Sequence, residues 1–297
     1  MRQGWEIWEI EGRSSGGRSV AVHQPYLLDV DKVTDRLTRF QSYREKVSLI
    51  DGLLWRYRRT GSSARPLVML PGIQGGGSVF FDVALALGGK LDLITVTAPP
   101  IVDAAAMADA QAEFLLALRI QKIDLFGSSL GGYLAQVFGI RHPDMVGQMF
   151  LANTFADPRP FLVKAPSADT VAAQPAAEVM ASNIAPMLTA HASDAGQVAM
   201  QTVMRSLVGP VQTADEYKAR LMTLLESTAI DRVPISDDRI VLIDDDADPS
   251  ILPEMRALIR GRYGSAWHYM IAGGGHLPAI QRPYSVVSAL LDRLCSG

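Results

Sequence analysis

The 297-residue sequence predicts an α/β protein with a mostly parallel sheet covered by helices on both faces. Three observations carry this expectation. Apolar strand-like runs alternate with helix-patterned segments along most of the chain. The stretch LFGSSLGGYLAQ (125–136) sets a serine among glycines where an apolar run stops and a helical pattern begins. The composition, 48% hydrophobic and 20% charged, suits one large globular α/β domain or two small ones.

The elements follow in chain order. In the first 44 residues, expected to be an extension packed on the core, HQPYLLDV reads as an edge strand and DKVTDRLTRF as a short helix. VSLIDGLLWRYRRTG (47–61) has a turn-like Asp51-Gly52 between apolar runs, which suggests an antiparallel hairpin at the sheet edge. Strands are expected at LVMLPG (67–72), DLITVTAP (92–99), KIDLFGSS (122–129), GQMFLANTF (147–155), RIVLIDDD (239–246) and AWHYMIAGG (266–274). Helices are expected at 103–120 and 251–263. Residues 158–235, rich in Ala, Met, Pro and Ser, have helical patterning without a convincing strand and read as a cap. The cap would interrupt a core made of 45–157 and 236–297.

Charge and cysteine usage narrow the function classes. A net charge of −3 and a pI near 6.0 give no sign of a nucleic-acid surface. The one compact basic cluster, Arg56, Arg58 and Arg59, reads as a solvated turn. Cys295 is the single cysteine, so no intramolecular disulfide forms and a reducing compartment fits. MRQGWEIWEI lacks the apolar core of a secretion signal, and no stretch reaches the roughly 18 apolar residues of a membrane span. The expectation is a cytoplasmic protein.

The opening junction contains Gly127-Ser128-Ser129-Leu130-Gly131, a match to G-x-S-x-G. In that pattern a strand turns sharply into a helix and holds the central serine exposed, here Ser129, beside a helix N-terminus. A serine hydroxyl is a weak nucleophile near neutral pH and needs a base. Of the five histidines, His276 follows the last expected strand in the Gly-rich loop GGGHLP, at the sheet's C-terminal edge. His268 falls within a strand, His142 precedes Pro143 in a helix-ending turn, and His23 and His191 read as ordinary surface or core residues. The imidazole requires an orienting carboxylate. RIVLIDDDADPSILP offers Asp244, Asp245, Asp246 and Asp248, of which Asp248 stands where the chain leaves the sheet. Asp157, after the fourth of the six strands expected from residue 67 on, is the rival. The aspartates also admit a metal site, but no histidine or glutamate accompanies them at ligand spacing, and a solvated turn is the plainer reading.

An oxyanion needs backbone donors: one from Leu130, after the nucleophile, and one from the loop LPGIQGGG (70–77), where Ile73 is the candidate. Gln74 would border the pocket. The glycines of this loop do not mark nucleotide binding. The loop lacks the Lys-Ser/Thr of a P-loop, and TVTAPP supplies no acidic residue for a dinucleotide ribose. Met180, Met187, Leu188, Met200, Met204 and Leu207 would either line an apolar acyl pocket or pack the cap on the core.

The order Ser129, Asp248, His276, with room for a cap in the first gap and for one helix and one strand in the second, resembles the α/β-hydrolase superfamily. LFGSSLGGYLAQVFG, FLANTFAD and LPGIQGGGSVFF are similar to its maspardin-like branch, which has Pro-Gly, as in Pro71-Gly72, in place of the usual His-Gly. The resemblance implies an eight-stranded, mostly parallel sheet, a helical cap and a Ser-His-Asp site acting on a small acyl compound without cofactor or metal. An ester is the default substrate; thioester cleavage, C–C hydrolysis and acyl transfer use the same groups. Members of the maspardin-like branch can lack the histidine and are linked to protein binding, so the alternative is an adaptor on a hydrolase scaffold. A protein partner or a homodimer is compatible with either.

Overall fold

The computed structural model of the protein describes residues 19–22, 32–246 and 248–295. The chain opens with β1 (Ser19–Val22), α1 (Val33–Gln41), β2 (Lys46–Ile50) and β3 (Leu53–Arg59). Strands and helices then alternate: β4 (Leu67–Leu70), α2 (Phe81–Leu87), β5 (Leu93–Thr97), α3 (Ala104–Ala117), β6 (Ile123–Ser128), α4 (Leu130–Arg141) and β7 (Val146–Ala152). Five helices follow with no strand between them: α5 (Arg159–Leu162), α6 (Ala168–Ala172), α7 (Ala176–Thr189), α8 (Ala195–Leu207) and α9 (Ala214–Glu226). The alternation resumes with β8 (Ile240–Asp244), α10 (Pro253–Arg262), β9 (Trp267–Ile271), α11 (Pro278–Gln281) and α12 (Pro283–Leu294).

The strands lie in the order β1-β9-β8-β7-β6-β4-β5-β3-β2. Eight of them, β2 to β9, make the expected mostly parallel sheet, and β1 adds a ninth, parallel to β9 at its edge. The antiparallel pairs are at the opposite edge, β2 with β3 and β3 with β5. The β2–β3 hairpin closes through Asp51 and Gly52, whose φ values of 49° and 76° supply the two left-handed positions of a tight turn. HQPYLLDV and His23 lie outside the described residues. The short helix expected just after them is α1, which buries Val33, Leu37 and Phe40 at helical spacing.

Successive strand residues point to opposite faces, so each strand feeds two cores. In β6, Leu125 joins the core formed with α3, α4 and α10, while Phe126 joins the one formed with α1, α2, α8 and α12. Burial on both faces explains why β4, β5, β6 and β8 are wholly buried runs rather than alternating ones.

The basic cluster is not a solvated turn. Arg56, Arg58 and Arg59 lie on β3, an antiparallel strand one in from the sheet edge. Each has an acidic partner: Arg56 binds Glu216 at 2.7 Å, Arg58 binds Glu45 at 3.0 Å and Arg59 binds Asp92 at 2.7 Å. Strand alternation within so short a run put cations beside carboxylates from other elements, which spacing alone does not reveal.

Two stability predictions follow from local contacts. A Cβ on Gly131 would collide with the backbone oxygens of Leu70 and Pro71, whereas one on Gly261, within α10, would meet nothing within 4 Å. Gly131→Ala should therefore destabilise by about 1–3 kcal/mol despite the better helix propensity of alanine, and Gly261→Ala should stabilise by about 0.5–1 kcal/mol, both read by thermal unfolding. The second concerns Asp244, at the end of β8. Burial pushes its pKa up, but His268 Nε2 at 3.0 Å and Arg260 Nε at 2.9 Å outweigh this and hold it below its ordinary 3.8. A carboxylate depressed by folding stabilises fully above its unfolded pKa and loses that contribution as pH falls through the folded one. Asp244→Asn should lower Tm at pH 7, with the deficit shrinking as pH is taken below 3.8.

Candidate functional site

β6 ends at Ser128 and α4 begins at Leu130, so Ser129 alone turns the chain. It does so at φ 56° and ψ −125°, a conformation that costs a non-glycine residue on the order of 1–3 kcal/mol. Neighbouring strands hold it there. Ser129 N donates to Ala152 O at 3.0 Å, and Thr154 Oγ1 donates to Ser129 O at 2.6 Å. The bend is also closely packed, because a Cβ on Gly127 would run into the backbone of Gly131 and Gly132. Leu130, as the first residue of α4, has one of the amides a helix leaves without an intrahelical acceptor.

His276 is carried by the loop after β9, where Gly273 and Gly275 take φ values of 67° and 54°. That loop is pinned at Gly275, whose N–H donates to Asp245 Oδ2 at 2.7 Å and whose carbonyl accepts from Asn153 Nδ2 at 2.6 Å. Asn153 itself is left-handed, at φ 40°, and its Oδ1 accepts from Asp245 N at 3.0 Å. One side chain at the end of β7 thus ties the β8 and β9 loops together.

Asp248 and His276 meet above this brace. His276 Nδ1 lies 2.9 Å from Asp248 Oδ2 and 3.1 Å from Oδ1, and His276 Nε2 lies 2.9 Å from Ser129 Oγ. An ionised carboxylate only accepts, so the Nδ1 proton is donated to Asp248 and the bare Nε2 accepts from the serine hydroxyl. The side chain of Asp248 is fully buried and that of His276 is 26% exposed. Asp248 Oδ1 also accepts from Ser250 N at 2.7 Å, which fixes the carboxylate from behind.

The loop after β4 passes close beside Ser129. A Cβ on Gly72 would stand 3.1 Å from Ser129 Cβ and 3.5 Å from Oγ, so the glycine leaves the loop room to lie close against the serine. Ile73 and Gln74 follow and line the cavity in front of the serine. Their backbone is gripped by Gln212, a buried residue between α8 and α9: its Nε2 donates to Ile73 O at 2.6 Å, and its Oε1 accepts from Gly75 N at 2.7 Å. Arg56 holds the turn carrying Gln212 through Val211 O at 3.0 Å and the Glu216 carboxylate.

The other expectations fare differently. Asp157 gives its carboxylate to Arg159, whose bonds hold its pKa below the usual range, and it has no hydrogen bond to His276. The aspartates after β8 are not a solvated turn. Asp244, Asp245 and Asp248 are buried on separate partners, and only Asp246 is exposed. Of the apolar cap residues, Met204 and Leu207 pack into the core, while Met187 and Met200 line a second cavity beyond His276. The cavity at Ser129, about 230 Å³, takes its apolar wall instead from Phe155, Leu221, Leu224, Met255 and Ile280. Tyr217 lines it too, with burial pushing its pKa up to about 12 against a hydrogen bond with Gln74. Asn153, Gln212 and Tyr217 carry no motif. Only Asn153 sits in a segment, FLANTFAD, that the sequence singles out.

Comparison with known proteins agrees with this architecture. Maspardin of Homo sapiens is 35% identical over 112 residues, which cover 36% of each chain. The match to Rattus norvegicus maspardin, again 35% over 112 residues, covers 36% of this chain and 43% of that one, so the chain spans less than half of these relatives. A thermophilic esterase from Thermogutta terrifontis superposes with a TM-score of 0.67 at 16% identity, over 85% of this chain and 98% of the other. The profile of the alpha/beta hydrolase family matches residues 67–290, from β4 into α12, and the chain belongs to that family.

Proposed function

We propose that the protein is a serine hydrolase that cleaves a carboxylic ester or a related acyl compound through an acyl-enzyme. The observation that carries this reading is the unbroken hydrogen-bonded line from Asp248 through His276 to Ser129 Oγ, facing a cavity at the C-terminal edge of the sheet. Ser129 Oγ attacks the acyl carbon while its proton passes to His276 Nε2. Asp248 keeps the imidazole in the required tautomer and stabilises the cation that forms. The amides of Ile73 and Leu130 receive the oxyanion, with the N-terminus of α4 adding favourable charge. The imidazolium then gives its proton to the leaving group, and a water activated by the same histidine releases the acid. No step draws on a cofactor or a metal. Gln74 borders the acyl cavity, and the helices of 158–235 act as the cap over it.

Gln212 is a positioning residue in this scheme. It touches no reacting atom, but by donating to Ile73 O it fixes the Ile73–Gln74 peptide, the one that follows the peptide presenting the Ile73 amide.

Turnover of p-nitrophenyl esters of graded chain length tests the reading. Ser129→Ala and His276→Ala should abolish measurable hydrolysis with folding intact, and Asp248→Asn should lower kcat by about 10,000-fold. Asp157→Asn should retain kcat close to the parent value. Absence of turnover in the parent across the whole series would favour a binding scaffold instead. Gln212→Glu keeps the acceptor for Gly75 and loses the donor to Ile73. It should lower kcat by up to about 100-fold with little change in KM, the signature of a loosened oxyanion donor.

A further inference from the structure

One edge of the sheet is open and apolar. β2 is the last strand on the antiparallel side, and among the described residues no strand pairs with its outer edge. The hairpin decides which groups are left over. Its two-residue turn makes Ile50 and Leu53 the closing hydrogen-bonded pair, and the alternation of an antiparallel ladder then turns the N–H and C=O of Val47 and Leu49 away from β3. Side chains alternate as well. Lys46, Ser48 and Ile50 share a face with Trp55, which stacks on Phe114 of α3. Val47 and Leu49 share the other face with Leu54, and these three are 57%, 71% and 52% exposed. Charge on the α3 face is uneven. At the turn end, a hydrogen bond with Asp51 and the charge of Asp51 push the Glu113 carboxyl above its ordinary 4.5. At the other end Lys46 is exposed, and its side chain has no partner among the described residues.

We propose that two copies of this chain associate through antiparallel β2 strands, about a two-fold axis at Ser48, so that their sheets become continuous. In that register Val47 faces Leu49 of the second copy and Leu49 faces its Val47. Both are hydrogen-bonded pairs, so the outward N–H and C=O groups of each copy are satisfied by the other. The register is also self-complementary in charge. Lys46 stands opposite Ile50 of the second copy, beside that copy's Asp51 and Glu113, and the two-fold axis repeats the contact at the other end. A slip that sets Val47 against Val47 moves Lys46 opposite Ser48 and away from the carboxylates. On the open face, the cross-strand pair Leu49 and Leu54 of each copy meets Val47 of the other, joining two exposed apolar patches into one row.

Sedimentation velocity of the full chain from about 1 to about 300 µM, the range suited to a small interface, should show a monomer–dimer equilibrium. Lys46→Glu should raise Kd about tenfold, and adding Glu113→Lys to it should return Kd to within about threefold of the parent. Leu49→Pro removes an outward N–H without touching the bonds to β3 and should abolish the dimer, with thermal unfolding of the dilute protein confirming that the monomer is folded. Register is read by cross-linking in a Cys295→Ser background. Ser48→Cys should form an interchain disulfide under mild oxidation, since residues facing each other across the axis as a non-hydrogen-bonded pair stand about 4.5 Å apart at Cα, and Lys46→Cys should not. A chain that stays monomeric throughout would overturn the proposal and leave the edge to a strand of another protein. A dimer indifferent to both Lys46→Glu and Leu49→Pro, or one cross-linked by Lys46→Cys and not by Ser48→Cys, would overturn it equally.

Discussion

The left-handed backbone of Ser129 is the constraint on which the rest of the site depends. At φ 56° and ψ −125° it stores strain that a strand-to-helix turn with more residues would avoid, and that strain lifts Oγ clear of the sheet. Hydrogen bonds from the next strand hold the conformation: Ala152 O receives the Ser129 amide, and Thr154 Oγ1 reaches the Ser129 carbonyl. The surrounding glycines follow from the same geometry. Gly127 lets β6 and α4 close on each other at the bend, Gly131 admits the end of β4 and Gly132 admits Thr154 just past β7, while Gly72 leaves room for the loop after β4 beside the serine.

Around this point the sheet gathers groups that are remote in sequence. Asn153 braces the loops after β8 and β9 through Asp245 and Gly275, so the imidazole and its carboxylate arrive as one unit. On the other side, Arg56 on β3 anchors the turn before α9, and Gln212 on that turn holds Ile73 and Gly75. The helical segment between β7 and β8 is therefore tied to the loop after β4 as well as lining the cavity at Ser129. Motion of this segment would be felt at Ile73.

Much of the fold was legible because buried parallel strands are written as continuous apolar runs and helices as periodic ones. The Asp51-Gly52 hairpin, the Gly-rich junction at Ser129 and the glycine loop bearing His276 all have short-range signatures that survive without tertiary context. Long-range side-chain pairing has none. Arg56, Arg58 and Arg59 look like a hydrated cluster until Glu216, Glu45 and Asp92 are folded against them. Four nearby aspartates at the end of β8 and just beyond it resemble one another in sequence, yet their surroundings differ: Asp244 pairs with Arg260 and His268, Asp245 holds Gly275, exposed Asp246 meets Arg260, and Asp248 faces His276. Gln212 belongs to no pattern, and its importance comes from two backbone atoms that are 139 and 137 positions away in the chain. The apolar cap residues stayed open between lining and packing for a related reason, because helical methionines signal burial without saying against which surface.

The central claim is that the hydroxyl at the strand–helix bend is made nucleophilic by the imidazole beside it. The most direct measurement is reaction of the full chain with a fluorophosphonate, followed by digestion and mass spectrometry of the peptide spanning β6 and α4. The account predicts a stoichiometric adduct on Ser129 that is lost in His276→Ala. An unmodified Ser129, or a label that persists at the same rate without the histidine, would contradict it.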